Sequence, residues 1–321
     1  MTQDGRLVGM PEPDEKRRDD RRAFFAAAVG AAAIGAGALI FSDPVSAQTV
    51  ADADVLNYLL NLEYLQANYY GYAVNGAGLG TSDTQSGAAT PTAGGNVTPG
   101  AKVTFADAYI AAYAKEMATV TLNQVRFLRT TLSTAAVAQP AIDLGNGATN
   151  AFSAMAQAAG LVAANTAFDP YANELNFLLG AFFLQDVVAS AYQGAVALLG
   201  SKTFLEAAAG LMAANAHHAA LVRTTLYQMS SANAAILGSV DSISNYRDSI
   251  DGGSDDDQGI REVSSGNGPL ANIAPVDGNA CTFARSYGTV LNILFLNRTA
   301  VTKGGFFPAG VNGTITTSAA S

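Results

Sequence analysis

The chain has 321 residues, 49% of them apolar and 13% charged, with a formal net charge of −9. That is enough chain for a sizeable core, and an acidic balance with no basic stripe excludes nucleic acid as a partner. A single cysteine, Cys281, excludes an intramolecular disulfide; flanked by Ala280 and Thr282, it reads as a small packed residue.

Residues 1–47 read as an address. A charged stretch ends in Asp20-Arg21-Arg22-Ala23-Phe24-Phe25, a weakly apolar Ala/Gly run reaches Phe41, and Pro44-Val45-Ser46-Ala47 offers a small-residue cleavage site. The pattern resembles a twin-arginine export signal, with Asp20 where Ser or Thr usually stands. The competing reading is an uncleaved anchor over Ala23 to Phe41, but Ala and Gly supply little transfer energy. Export to the periplasm or beyond the cell is the expectation, with no membrane span left after cleavage.

A first long helix is expected from Asp52 or Asp54 as cap to Val74, stopped by Asn75-Gly76. Leu56, Leu59, Leu60, Ala67 and Tyr70 share one face, and Glu63 falls in the middle of it, where a core would ordinarily want leucine. Gly76 to Ala101 reads as a long polar loop. Thr104 is expected to open a second helix, with Asp107 as its capping-box acid, running to Thr131 or Leu132. A short helix is predicted over Asn150 to Ala159. Asp169-Pro170 should start a third long helix ending before Gly200, and Ser201 should cap a fourth that runs to Met229.

These segments repeat. Met117 to Leu132 and Leu211 to Leu226 both end in Arg-Thr-Thr-Leu, and the stripe Met117, Thr121, Gln124, Leu128 falls on Leu211, Asn215, His218, Val222. Upstream, Leu62-Glu63, Tyr70 and Ala73-Val74 fall on Leu184-Gln185, Tyr192 and Ala195-Val196 in equal steps. A helical hairpin occurring twice cannot bury its apolar stripes alone, so the two should close as a four-helix bundle over residues 48–230. The long middle connection favours two hairpins joined by a crossover. Residues 231–321 form a turn-rich extension with a short apolar helix at Thr289 to Leu296 and a Phe306-Phe307 pair suited to plug a groove. This extension is expected to wrap over the bundle.

Four stretches resemble a known family, the secreted ferritin-like proteins that include plant desiccation-related proteins. They are Ala51 to Tyr70, the two Arg-Thr-Thr-Leu helix ends, RDSIDGGSDDDQGI at Arg247 to Ile260, and LNILFLN with KGGFFPAGVNGTI between Leu291 and Ile315. The resemblance implies an all-α, ferritin-like fold. It also implies a di-iron ligand set, one Glu from each of two helices and Glu-x-x-His from each of the other two. At those positions this chain has Glu63, Thr121, Gln124, Gln185, Asn215 and His218. Only Glu63 and His218 keep ligand-type side chains, and amides are poor substitutes for carboxylates around two metals.

The expectation is therefore a degenerate di-iron site in an exported structural or desiccation-stress protein. An oxidoreductase or ferroxidase-like protein using a reduced iron, manganese or zinc site is the alternative. Glu63 is read as a buried carboxylate held by Gln124, Gln185, Asn215 or His218, with Asp186 as a residue that could rotate inward. His217 should face solvent. Asp255-Asp256-Asp257 is weighed as a calcium site and read as a solvated acidic turn. Tyr64, Tyr69, Tyr70 and Tyr72 are read as bundle packing. An envelope component or a homo-oligomer is left open as the assembly.

Overall fold

The computed structural model describes residues 50–253, 257–266 and 268–320. The expected export signal lies outside them, as do Asp255 and Asp256. The elements in order are α1 (Asp52–Asn75), α2 (Thr81–Thr84), β1 (Val97–Thr98), α3 (Ala108–Leu132), β2 (Ile142–Asp143), α4 (Ala151–Ala158), α5 (Glu174–Val196), α6 (Lys202–Ser230), α7 (Ala235–Asp251), β3 (Val263–Ser265), β4 (Gly268–Leu270) and α8 (Tyr287–Phe295). The helices α1 and α3 pack as one hairpin, α5 and α6 as another, and α1 meets α5 across the centre. This is the ferritin-like four-helix bundle, with a crossover from Leu132 to Glu174.

α1 and α5 are buried nearly all round, whereas α3 and α6 bury one stripe each. A helix apolar on every side must be covered on every side. For α5 that composition is long and apolar enough to cross a membrane, yet its residues are packed inside the bundle. For α1 the cover comes from the crossover and tail, which its asparagines hold. Asn57 donates to the Ala135 carbonyl and accepts from the Val137 N–H, both at 3.0 Å. Asn61 makes the same two-way bond with the backbone of Asn312, and Asn68 donates to Gln139 Oε1 at 2.7 Å. Side-chain amides thus satisfy main chain that would otherwise be buried without partners.

Several expected boundaries move. α1 has no side-chain cap. Asp52 instead accepts from the Gly200 and Ser201 N–H groups at 2.8 Å, fastening the start of α1 to the α5–α6 turn. Asp107 is itself the cap of α3, accepting from Tyr109 and Ile110, so the helix starts later than Thr104. Asn173 caps α5, while Asp169 accepts from the Tyr171 N–H and from Asn146. The polar loop after α1 contains α2 and β1, and β1 pairs in parallel with β2 of the crossover, Val97 opposite Ile142. Gly76 ends α1 at φ 73°, Ser201 caps α6, and the short α4 forms as expected.

The tail lies on the bundle and contains a helix, α7, that the sequence reading did not find. Phe306 and Phe307 are fully buried, and the Phe306 ring lies 4.8 Å from Phe152 and 5.4 Å from Phe183. Gly194 on α5 lets the chain at Arg285 approach, since a Cβ there would sit 2.0 Å from the Arg285 carbonyl oxygen. Cys281 is exposed, against the expectation that it packs.

Candidate functional site

The four bundle helices bring Glu63, Thr121, Gln124, Gln185, Asn215 and His218 to the interior, all of them buried. Helical spacing explains the convergence: Glu63 with Gln66, Thr121 with Gln124, and Asn215 with His218 are each one turn apart on an inward stripe. His217, the next residue round α6, is exposed.

The hydrogen bonds form a directed chain. The Tyr70 hydroxyl donates to Gln185 Oε1 at 2.8 Å, and Gln185 Nε2 donates to Asn215 Oδ1 at 2.7 Å. Asn215 Nδ2 donates to Glu63 Oε1 at 3.1 Å, and the Tyr192 hydroxyl donates to the same oxygen at 2.7 Å. Every donor in the chain points toward the one carboxylate. Burial pushes the Glu63 carboxyl up from 4.5 to about 7, while the bonds from Tyr192 and Asn215 pull it back down. Near neutral pH, therefore, the group is divided between its two forms.

The remaining site residues are less well satisfied. Thr121 donates to the Met117 carbonyl of its own helix at 2.8 Å. Glu63 Oε2, His218 Nδ1 and both amide atoms of Gln66 and of Gln124 are buried without a hydrogen-bond partner among the described residues. Burial pushes the His218 imidazole down to about 4, so it is neutral at physiological pH. Of the expected holders of Glu63, Asn215 is in direct contact and Gln185 acts through Asn215. The direct partner missed was Tyr192, although the repeat had already matched it to Tyr70. Among the described residues no group of three or more His, Cys, Asp or Glu side chains gathers as a metal site.

Asp186 does not turn inward. Its Oδ2 accepts from Arg223 at 2.8 Å and Arg247 at 3.1 Å, in a second polar cluster between the bundle and the tail. Arg247 also pairs with Asp257, and Arg285 joins Asp257 to Asp251 with both contacts at 2.7 Å. Arg223 and Arg247 lie over the Phe182 ring, 4.5 Å away for Arg247. Asp257 is thus a buried ion-pair partner, not part of a solvated turn. Burial pushes Asp251 up to about 6 against the pull of Arg285. The Arg247 to Ile260 motif supplies Arg247, Asp251 and Asp257 to this cluster, which is what that motif does in the fold.

The tyrosines of α1 divide by role. Tyr69 stacks on Phe177 at 5.7 Å, Tyr64 takes a 2.7 Å bond from Arg129, and Tyr70 belongs to the directed chain.

The ferritin-like domain family matches residues 51–228, the span of the bundle. Over 181 residues the chain is 28% identical to the desiccation-related protein PCC13-62 of Craterostigma plantagineum, covering 55% of this chain and 53% of that protein, about half of its length. Over 279 residues it is 24% identical to the ferritin-like catalase Nec2 of Nesocodon mauritianus, covering 83% of this chain and 85% of that protein. No solved structure matches. With the bundle built from two matching hairpins and the family match spanning it, the chain belongs to the ferritin-like domain family.

Proposed function

We propose that this is an exported ferritin-like protein with a structural or stress-protective role, whose bundle centre no longer suits a di-iron pair. The observation that carries the reading is the donor set. Glu63 is the sole carboxylate among the six ligand positions, and its counterpart Gln185 is an amide held between Tyr70 and Asn215. Two iron or manganese ions need several anionic oxygens to balance their charge and bridge them. Thr121, bonded to its own helix, supplies none, so the residues present do not fit a dinuclear centre. Similarity to a desiccation-related protein over 181 residues supports the stress-related role. Export rests on the Arg21-Arg22 pattern and is part of the same proposal.

The test is elemental analysis of protein isolated from its host without chelators, repeated after anaerobic reconstitution with ferrous iron. Less than one metal per chain is expected, and two tightly held metals would overturn the proposal.

A second reading, a metal-dependent oxidoreductase, is favoured by two observations. Glu63 Oε2 and His218 Nδ1 are buried and unpartnered among the described residues, and similarity to a relative named as a catalase extends over 83% of the chain. On this reading Glu63 and His218 hold a single iron, manganese or zinc ion. Glu63→Ala and His218→Ala would then each abolish metal uptake, and unchanged metal content in both would exclude it.

A further inference from the structure

Away from the bundle centre, a cavity of about 240 Å³ lies between α5, α6 and the tail. Its walls include Met212, Ala216, Ala220, Ile273 and Phe283, and Asp186 and Arg223 of the ion-pair cluster stand at its polar end. Ala216 and Ala220 are one turn apart on α6, and their small side chains leave the space open.

Two features at the polar end restrict what can fill it. Asp186 uses Oδ2 for both Arg223 and Arg247, while its Oδ1 has no donor among the described residues, and the side chain remains 12% exposed. The cluster behind it sets Asp186, Asp251 and Asp257 against Arg223, Arg247 and Arg285, so their charges cancel. Arg223 Nε is also buried without a hydrogen-bond partner among the described residues, so a hydroxyl, which both donates and accepts, suits this end, and the balanced pairs leave no excess charge for an ion of one sign to neutralise. The rest of the occupant must be apolar. An apolar cavity of about 150 Å³ holds benzene, so this one has room for a substituted ring.

We propose that this cavity binds a small neutral molecule made of one apolar ring carrying a hydroxyl, with the ring between Met212, Ala216 and Phe283 and the hydroxyl donating to Asp186 Oδ1. The site is separate from the Glu63 centre and does not depend on whether that centre holds metal.

The experiment is calorimetric titration of the full chain with p-cresol and with toluene, which differ only in the hydroxyl. One cresol per chain is expected, bound about tenfold more tightly than toluene, as a hydrogen bond to a charged oxygen implies. Ala216→Leu fills the space without touching the ion pairs and should weaken cresol at least about tenfold while the melting temperature holds. Ala220→Leu narrows the same space from the next turn and serves as the second variant should Ala216→Leu fail to fold. No cresol binding at millimolar concentration, equal affinity for toluene, or binding undiminished in both variants would overturn the proposal.

Discussion

The Tyr192 hydroxyl donates to Glu63 Oε1 across the bundle, from the second hairpin to the first, and in the repeat these residues are the counterparts of Tyr70 and Gln185, which are joined by the same bond in the opposite direction. Each half lends its tyrosine to the other half's acid position. In one case the acceptor is a carboxylate and in the other an amide, so the centre is alike in geometry and unlike in charge.

That single carboxylate makes stability depend on pH. With the Glu63 carboxyl pushed up from 4.5 to about 7, the folded protein holds its proton more tightly than the unfolded chain does. Its contribution is fully present below the unfolded value and lost as pH rises through about 7. Glu63→Gln keeps the acceptor for Tyr192 and removes the titration. In metal-free protein, the stability of Glu63→Gln relative to the parent should rise by about 3 kcal/mol from acid to mildly alkaline pH, measured by denaturant unfolding. A difference that stays flat with pH would contradict the buried-carboxylate account.

His218 acts with the opposite sign. Burial lowers it from 6.5 to about 4, so its contribution is present above the unfolded value and lost as pH falls through about 4. Acidification should therefore destabilise the parent more than His218→Gln, and thermal melts across the mildly acidic range would reveal the crossover.

The two classes of ion pair should respond very differently to truncation. Arg223 is buried, bonded to Asp186 and to the carbonyls of Gln258, Gly259 and Asn272. Arg223→Ala leaves those half-buried acceptors without their donor and is expected to cost about 3 kcal/mol. Arg126, with a side chain 54% exposed, pairs with Asp83 at the surface. Arg126→Ala should cost less than about 1 kcal/mol. Chemical denaturation of both variants checks the contrast.

Gly194→Ala drives a Cβ into the Arg285 carbonyl oxygen, so it should destabilise the protein and loosen the tail. Limited proteolysis should then cut the tail sooner than in the parent. Among the described residues, nothing beyond the helix's own backbone lies within 4 Å of a Cβ added at Gly210 on α6. Gly210→Ala is expected to stabilise by up to about 1 kcal/mol through helix propensity alone.

The repeat made the bundle legible, because two hairpins with matching inward stripes leave few other ways to bury them. Starts of helices were less so. Asp107 and Asn173 cap where Thr104 and Asp169 were expected to, since several residues able to cap stand close together and tertiary contacts choose among them. α7 escaped although Ile236, Val240, Ile243 and Ile250 share one helical face, because its serines, Gly238 and β-branched residues are weak helix formers; what holds it is Arg247 reaching the Phe182 carbonyl and Asp186. The inward positions of Glu63, Gln185 and Asn215 followed from spacing. Tyr192 was missed because a tyrosine at helical spacing reads as packing until its hydroxyl is seen. The Arg and Asp cluster joins residues far apart in sequence, and neither charge pattern nor periodicity brings them together.

Because the matched tyrosines face different acceptors, the molecule contains its own calibration. Tyr192→Phe and Tyr70→Phe delete the same atom from matching positions, one facing an acid and the other an amide. The difference between those two losses, read as pH is varied, reports what ionisation adds to a buried hydrogen bond, with the rest of the fold as a common background.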